Sequence, residues 1–136
     1  SEFVDKQLLA QKIFSDSSLI SKINGIVHPR VRVLFKEWVM KQNTSLVFNE
    51  AAILIETGSY KYFDANILVT APVSLRVDRV MKRDSISESD VLKRINNQWS
   101  DDQKRPFSTY VIVNDDKIGL LNQVEVIIDD LLKLVQ

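Results

Sequence analysis

Short apolar runs separated by helical periodicity are the feature that most constrains the fold of this chain. Three such runs occur, each followed by apolar residues at helical spacing, at 45–52 (SLVFNEAA), 65–71 (ANILVTA) and 109–114 (TYVIVN). Runs of this kind suit strands that are buried on both faces, as in a parallel sheet covered by helices. The alternation therefore predicts an α/β layered fold with a parallel sheet and flanking helices.

The spacing of apolar residues also predicts the helices around these strands. We expect helices at about residues 4–14, 15–28, 31–39, 74–83, 87–99 and 121–135. The second helix should stop near His28, because Pro29 disfavours helical geometry in the residue before it. At the start of the fifth helix, Ser87 and Asp90 have the spacing of a capping box.

Composition excludes several classes of protein. The 136 residues include only three glycines and three prolines, so we expect one domain without a linker. The 18 basic and 18 acidic residues cancel, which argues against nucleic acid and membrane surfaces as partners. The absence of cysteine excludes disulfides and thiolate metal sites, and no apolar run approaches the roughly 20 residues that span a bilayer. We therefore expect a cytoplasmic protein.

Polar residues close each predicted strand at the edge where parallel α/β sheets bind ligands. They are Asn49 and Glu50, Thr70, and Asn114 with Asp115 and Asp116. The two aspartates either bind a cation or form the turn that follows the strand. Glu50 and Glu56 either form a carboxylate pair for acid–base chemistry or shape the substrate side of the site.

Two arginines lie on the helix predicted after the second strand. Arg79 and Arg83 are four residues apart, so they occupy one helical face. Two guanidinium groups on one face can clamp a polyphosphate, because each offers a planar fork of donors and keeps its charge. Alternatively, the same arginines pair with Asp78, Asp84 or solvent. Spacing alone leaves both interpretations open.

Six segments, in their order and spacing, resemble the dephospho-CoA kinase family. They are FSD with LISKINGIVHPRVR (14–32), FNEAAILIETGSYKYFD (48–64), VTAPVSLRVDRVMKRD (69–84), RINNQW (94–99), KR (104–105) and YVIVN (110–114). The resemblance covers nearly the whole chain and implies a three-layer core similar to P-loop nucleoside monophosphate kinases. It further implies a helical substrate-binding region, core strands with a turn, a lid with its flanks, and a last strand with a C-terminal helix, at 4–45, 45–73, 74–107 and 108–136.

The resemblance also implies roles for particular residues. It assigns dephospho-CoA binding to His28, Arg32, Glu50 and Glu56, the ATP phosphates and lid to Arg79, Arg83 and Arg105, and the vicinity of the adenine to Asn114. Two of these residues have simpler explanations, since His28 can cap a helix end before Pro29 and Arg32 can be a solvated helix position. The implied reaction transfers the ATP γ-phosphoryl group to the ribose 3′-hydroxyl of dephospho-CoA in coenzyme A biosynthesis, with Mg²⁺ accompanying ATP.

The phosphate-binding loop of the family pattern is missing. The sequence contains no G-x-x-x-x-G-K-[ST], the loop that cradles phosphates in P-loop kinases. Family members carry that loop, and the probable base, at the start of the chain after a first strand. We therefore expect a C-terminal portion of a kinase, with an incomplete sheet, no catalytic or metal-binding residue of its own, no activity alone, and self-association through unpaired strands. The alternative is a non-catalytic α/β interaction or regulatory domain.

Overall fold

The computed structural model describes residues 17–134, apart from the side chains of Ser17, Ser18 and Ile20. The helix predicted at 4–14 lies outside this range. The chain divides into two compact units between Val47 and Phe48. Within the described range, every helix is too short or too polar to cross a membrane.

In the first unit, one long helix replaces the two that were predicted. Helix α1 (Ser17–Val39) runs through Pro29, so the predicted stop near His28 is wrong. Proline has no N–H to donate to the carbonyl of Gly25, and inside a helix this costs about 3 kcal/mol or more. The helical spacing of apolar residues nevertheless continues on both sides, from Leu19 to Val39. The stabilisation from these helical turns exceeds the cost of the one hydrogen bond that Pro29 cannot make.

Within the described residues, the sheet has two parallel strands, β1 (Ile67–Thr70) and β2 (Tyr110–Val113). Ile67 lies opposite Tyr110, and Thr70 lies opposite Val113. The strands follow the second and third apolar runs, which confirms an α/β fold with a parallel sheet. The strand predicted at 45–52 is wrong, because residues 46–51 have no regular secondary structure and turns begin at 52. A strand needs a hydrogen-bonded neighbour, and neither described strand pairs with this run.

Four helices flank the sheet in the second unit. They are α2 (Val73–Asp84), α3 (Glu88–Asn96), α4 (Asp101–Lys104) and α5 (Leu120–Leu134). Ser87 caps α3 as predicted, since its hydroxyl accepts a hydrogen bond from the N–H of Asp90 at 3.3 Å. The predicted helix at 87–99 ends earlier, at Asn96, and Ser100 with Gln103 then forms a full capping box that begins α4.

Apolar side chains from both strands, three helices and the turn at 52–58 form the core of this unit. The buried apolar residues are Ile55, Leu68, Val77, Val91, Ile112, Ile127 and Leu131. Val91 on α3 is the most buried, with 1% of its surface exposed. Because α5 packs on β2 and α4 lies against β1, this core fixes the carboxyl ends of the two strands side by side.

The two edges of the sheet differ in how their backbone groups are used. At the outer edge of β2, the side-chain amide of Gln123 accepts from the N–H of Val113 at 2.9 Å and donates to its carbonyl at 3.0 Å. In the parallel ladder, the backbone N–H and C=O groups of Leu68 and Thr70 point towards β2. Those of Ile67 and Val69 therefore point away from it. Among residues 17–134, no strand lies at that outer edge of β1.

Candidate functional site

The carboxyl ends of β1 and β2 carry the polar groups of the candidate site. Thr70 ends β1, and its buried hydroxyl donates to the carbonyl of Ile112 at 3.3 Å. Helix α2 begins shortly after β1, and residues 114–119 follow β2; we call these six residues the β2 loop. Because ligands of parallel α/β sheets bind at this edge, the side chains of α2 and the β2 loop are the candidates for binding.

Arg79 on α2 is bound to the β2 loop. Its Nη1 donates to the carbonyl of Asn114 at 3.2 Å, and its Nη2 donates to Oδ1 of Asn114 at 3.1 Å. The same Nη2 forms an ion pair with Oδ1 of Asp116 at 2.6 Å. Two residues predicted at the site, Arg79 and Asn114, are therefore in direct contact, and Asp116 joins them.

The β2 loop is further held by its own hydrogen bonds. Oδ1 of Asp115 accepts from the N–H of Ile118 at 2.9 Å and from that of Lys117 at 3.0 Å. These bonds lower the pKa of Asp115, the bond from Ile118 contributing most. Asp116 has a φ of 62°, in the left-handed region. The carboxylate of Asp115 thus forms the turn after the strand, which was the simpler of its two predicted roles.

Arg83 lies one turn beyond Arg79 and has different partners. Its Nε forms an ion pair with Oδ1 of Asp84 at 2.7 Å, and Arg94 binds the other oxygen of that carboxylate at 3.0 Å. The hydrogen bond and charge of Asp84 raise the pKa of Arg83, and the negative charge of Glu50 adds to this. Arg83 is largely exposed, with 73% of its side-chain surface accessible. Nε and Nη2 of this guanidinium group are thus bound to Asp84, and the side chain is otherwise exposed to solvent.

Glu56 and Lys104 form a nearly buried ion pair. Nζ of Lys104 lies 3.0 Å from Oε1 of Glu56, and the two side chains are 12% and 14% exposed, in that order. The same oxygen accepts from the N–H of Trp99 at 3.1 Å. Burial raises the pKa of Glu56, but the hydrogen bonds from its own backbone, Lys104 and Trp99 together outweigh burial and lower it. Among the described residues, Oε2 of Glu56 is buried without a hydrogen-bond partner.

The remaining predicted residues are spread over both units. His28 and Arg32 lie one turn apart on α1, so they share one face of that helix. Glu50 is exposed in the segment before the turns, and Arg105 is exposed at the start of a short 3-10 helix (Arg105–Phe107). Glu50 and Glu56 share no partner, because Glu56 binds Lys104 whereas the charge of Glu50 acts on Arg83.

The described residues do not fit a metal site. Mg²⁺ is held by oxygen ligands, commonly carboxylates and phosphates. Residues 17–134 contain no group of three or more His, Cys, Asp or Glu side chains that could hold a metal ion. Any magnesium ion at this edge would therefore depend on ligands that these side chains do not supply.

Three contacts of the site had no sequence signal that identified them. They are the ion pair of Arg79 with Asp116, the ion pair of Glu56 with Lys104, and the contacts of Gln123 with Val113. Each depends on side-chain geometry between distant positions. Only the parallel order of the strands indicated that residues after β1 and residues after β2 would meet at one edge.

Comparison with known proteins identifies close relatives. A family model for dephospho-CoA kinase matches residues 3–119. A dephospho-CoA kinase of Bacteroides fragilis is 38% identical over 122 residues, covering 89% of this chain and 60% of the relative. One of Thermus thermophilus is 36% identical over 111 residues, covering 82% of this chain and 55% of the relative.

A solved structure agrees with these sequence relatives. The crystal structure of TT1252 from Thermus thermophilus matches with a TM-score of 0.82 at 33% identity, covering 98% of this chain and 68% of that chain. This identity and score indicate a shared α/β fold. The chain nevertheless spans only 55% to 60% of the length of the two curated relatives named above.

Proposed function

Because this chain belongs to the dephospho-CoA kinase family, we propose that the protein takes part in transferring the ATP γ-phosphoryl group to the ribose 3′-hydroxyl of dephospho-CoA. This reaction belongs to coenzyme A biosynthesis, and the proposal includes a cytoplasmic location. The structural observation that carries the proposal is the position of two guanidinium groups, those of Arg79 and Arg83, on the helix that follows β1. Phosphoryl transfer depends mainly on positioning and on stabilising negative charge, and arginine supplies both.

On this proposal, the predicted residues divide between the two substrates. Arg79, Arg83 and Arg105 are the cations for the ATP phosphates and the lid, and Asn114, which Arg79 contacts, lies near the adenine. Mg²⁺ arrives with ATP. His28 and Arg32, on one face of α1, belong to the dephospho-CoA side, as do Glu50 and Glu56. Because Glu56 is bound to Lys104, its role is to shape the turn at 52–58.

We further propose that these 136 residues do not transfer phosphoryl groups alone. The supporting observation is the absence of a G-x-x-x-x-G-K-[ST] motif, whose backbone N–H groups and lysine hold the phosphates in P-loop kinases. Isothermal titration with dephospho-CoA and, separately, with Mg·ATP tests both statements. We expect dephospho-CoA to bind and Mg·ATP to bind at least tenfold more weakly, with no ADP formed in a coupled assay.

Neighbouring arginines on α1 provide a matched control for the acceptor side. Arg32→Ala should weaken dephospho-CoA binding about tenfold, as expected for loss of a charge-assisted hydrogen bond. Arg30→Ala removes the same charge from an exposed position on another face of the helix, and binding should stay unchanged. Binding of neither substrate by the unmodified chain would contradict the assignment of the residues on α1 to dephospho-CoA binding.

We also propose that the chain self-associates through the outer edge of β1. The N–H and C=O groups of Ile67 and Val69 face that edge, β1 carries no charged residue, and 56% of Val69 is exposed. An uncharged edge that has no neighbouring strand, as this one has none among residues 17–134, is a template for pairing with a second strand. Light scattering should therefore show a dimer or larger species, and Val69→Lys should shift it towards monomer. A monomer at all concentrations would refute this proposal.

A further inference from the structure

The β2 loop is held in place by a residue on a different element. Arg79 uses both hydrogens of Nη2 and one of Nη1 on this loop, so three of its five N–H donors are engaged. Its side chain is only 37% exposed, whereas Arg83, one turn along the same helix, is 73% exposed and binds its neighbour Asp84. The two arginines on one helical face therefore have different roles.

The conformation of the loop indicates that it needs this support. Asp116 has a φ of 62°, a left-handed backbone that costs a non-glycine residue about 1 kcal/mol or more. An exposed loop residue keeps such a conformation only when its surroundings hold it there. The ion pair with Arg79, at 2.6 Å, is the contact of Asp116 that crosses to another element.

From these contacts we infer that Arg79 is a positioning residue for the β2 loop, whose shape forms the wall of the nucleotide side. The inference rests on the proposed function only where it places this wall on the nucleotide side. The contacts themselves join the helix after β1 to the loop after β2, across 35 and 37 positions of the chain. The guanidinium group thus fixes the spacing between the two elements that flank the candidate site.

Amide hydrogen exchange in the full 136-residue chain provides a direct test. In Arg79→Ala, the N–H groups of Lys117 and Ile118, which Asp115 holds, should exchange at least about tenfold faster, since the three hydrogen bonds that tie the loop to α2 are lost. Arg79→Lys should restore some of the protection, because lysine keeps a positive charge beside Asp116. The protection should stay incomplete, because lysine lacks the guanidinium group that makes two hydrogen bonds to Asn114. Arg83→Ala is the matched control and should leave these two amides unchanged.

A second variant keeps the test decisive if Arg79→Ala fails to fold. Asp116→Asn retains a residue that tolerates left-handed backbone and removes only the charge, so it should raise exchange in the loop by a smaller factor. Unchanged exchange at Lys117 and Ile118 in both Arg79→Ala and Asp116→Asn would overturn the inference.

A ligand titration separates this inference from the proposed function. Millimolar ATP should shift the amide resonances of residues 114–118 in the unmodified chain, and Arg79→Ala should weaken that response while leaving dephospho-CoA affinity unchanged. A purely structural role would not produce this split between ligands. Faster exchange with an unaltered ATP response would overturn the role at the nucleotide side. No ATP response in the unmodified chain would overturn the assignment of this wall to the nucleotide side, and the exchange rates alone would then decide the positioning role.

Discussion

The ion pair between Glu56 and Lys104 provides the sharpest test of what stabilises the second unit. Replacing Lys104 with Met keeps most of the side-chain volume and removes the charge, which leaves the carboxylate of Glu56 nearly buried and unpaired. Breaking a buried ion pair in this way costs about 3 to 5 kcal/mol. Glu56 keeps the hydrogen bond from the N–H of Trp99, so we expect the lower value, about 3 kcal/mol.

The expected change in melting temperature follows from the size of the chain. In a chain of 136 residues, a loss of about 1 kcal/mol in the free energy of unfolding lowers the melting temperature by roughly 3 to 4 °C. Lys104→Met should therefore melt about 10 °C below the unmodified protein. Thermal unfolding followed by circular dichroism measures this shift. Lys133→Met is the matched control, because Lys133 forms an exposed pair with Asp130 and its loss should cost less than about 1 kcal/mol.

The pH dependence of this effect has a definite sign. The pKa of Glu56 in the folded protein lies below its ordinary value of 4.5, so the pair stabilises the fold above that pH. The contribution is lost as the pH falls through the folded pKa. In Lys104→Met, burial is no longer offset by the lysine, the pKa of Glu56 rises, and the carboxyl group can become neutral.

The stability gap between Lys104→Met and the unmodified protein should therefore be largest near neutral pH and should narrow below about pH 4.5. The double variant Glu56→Gln with Lys104→Met should be more stable than Lys104→Met alone, because no buried charge is left. If Lys104→Met cost no more than Lys133→Met, or if the gap were independent of pH, the reasoning about this pair would be wrong.

Two further predictions concern the sheet edge and the long helix. Gln123→Ala removes the hydrogen bonds to Val113 at the edge of β2. It should lower the free energy of unfolding of the second unit by about 1 to 3 kcal/mol, as measured by urea unfolding. Asn122→Ala, on the exposed face of α5, should have little effect. Pro29→Ala restores a donor for the carbonyl of Gly25 and should raise helical content and thermal stability by up to about 3 kcal/mol, which far-ultraviolet circular dichroism would detect. A lower melting temperature in Pro29→Ala would contradict this account of α1.

The elements that sequence analysis predicted well are those with a local physical signal. Four elements lie within a few residues of their predicted bounds, namely α2, α5, β1 and β2. Each of these segments has its own apolar periodicity, which depends on local sequence alone. The strand predicted at 45–52 is wrong, because a strand forms only with a hydrogen-bonded partner and the pairing depends on the whole chain. The helix end predicted before Pro29 is wrong for the opposite reason, because the local effect of proline is smaller than the stabilisation from the helical turns on both sides.

The candidate site was predictable only in outline. Parallel strands place their carboxyl ends together, so a meeting of α2 with the β2 loop followed from the order of elements. The contact of Arg79 with Asn114 fits that expectation, yet the contribution of Asp116 depends on the left-handed backbone at one loop residue. The pairing of Glu56 with Lys104 joins two segments far apart in sequence, and no spacing rule connects them.

The crossover between β1 and β2 has a consequence for the order in which the chain folds. Asn66 and Thr109, which are hydrogen bonded where the strands begin, lie 43 positions apart, with α2, α3 and α4 between them. Contacts this distant in sequence slow folding, because a long loop must close before they form. The apolar β1 therefore leaves the ribosome well before its partner, and during that interval its backbone groups can pair with a strand of another chain.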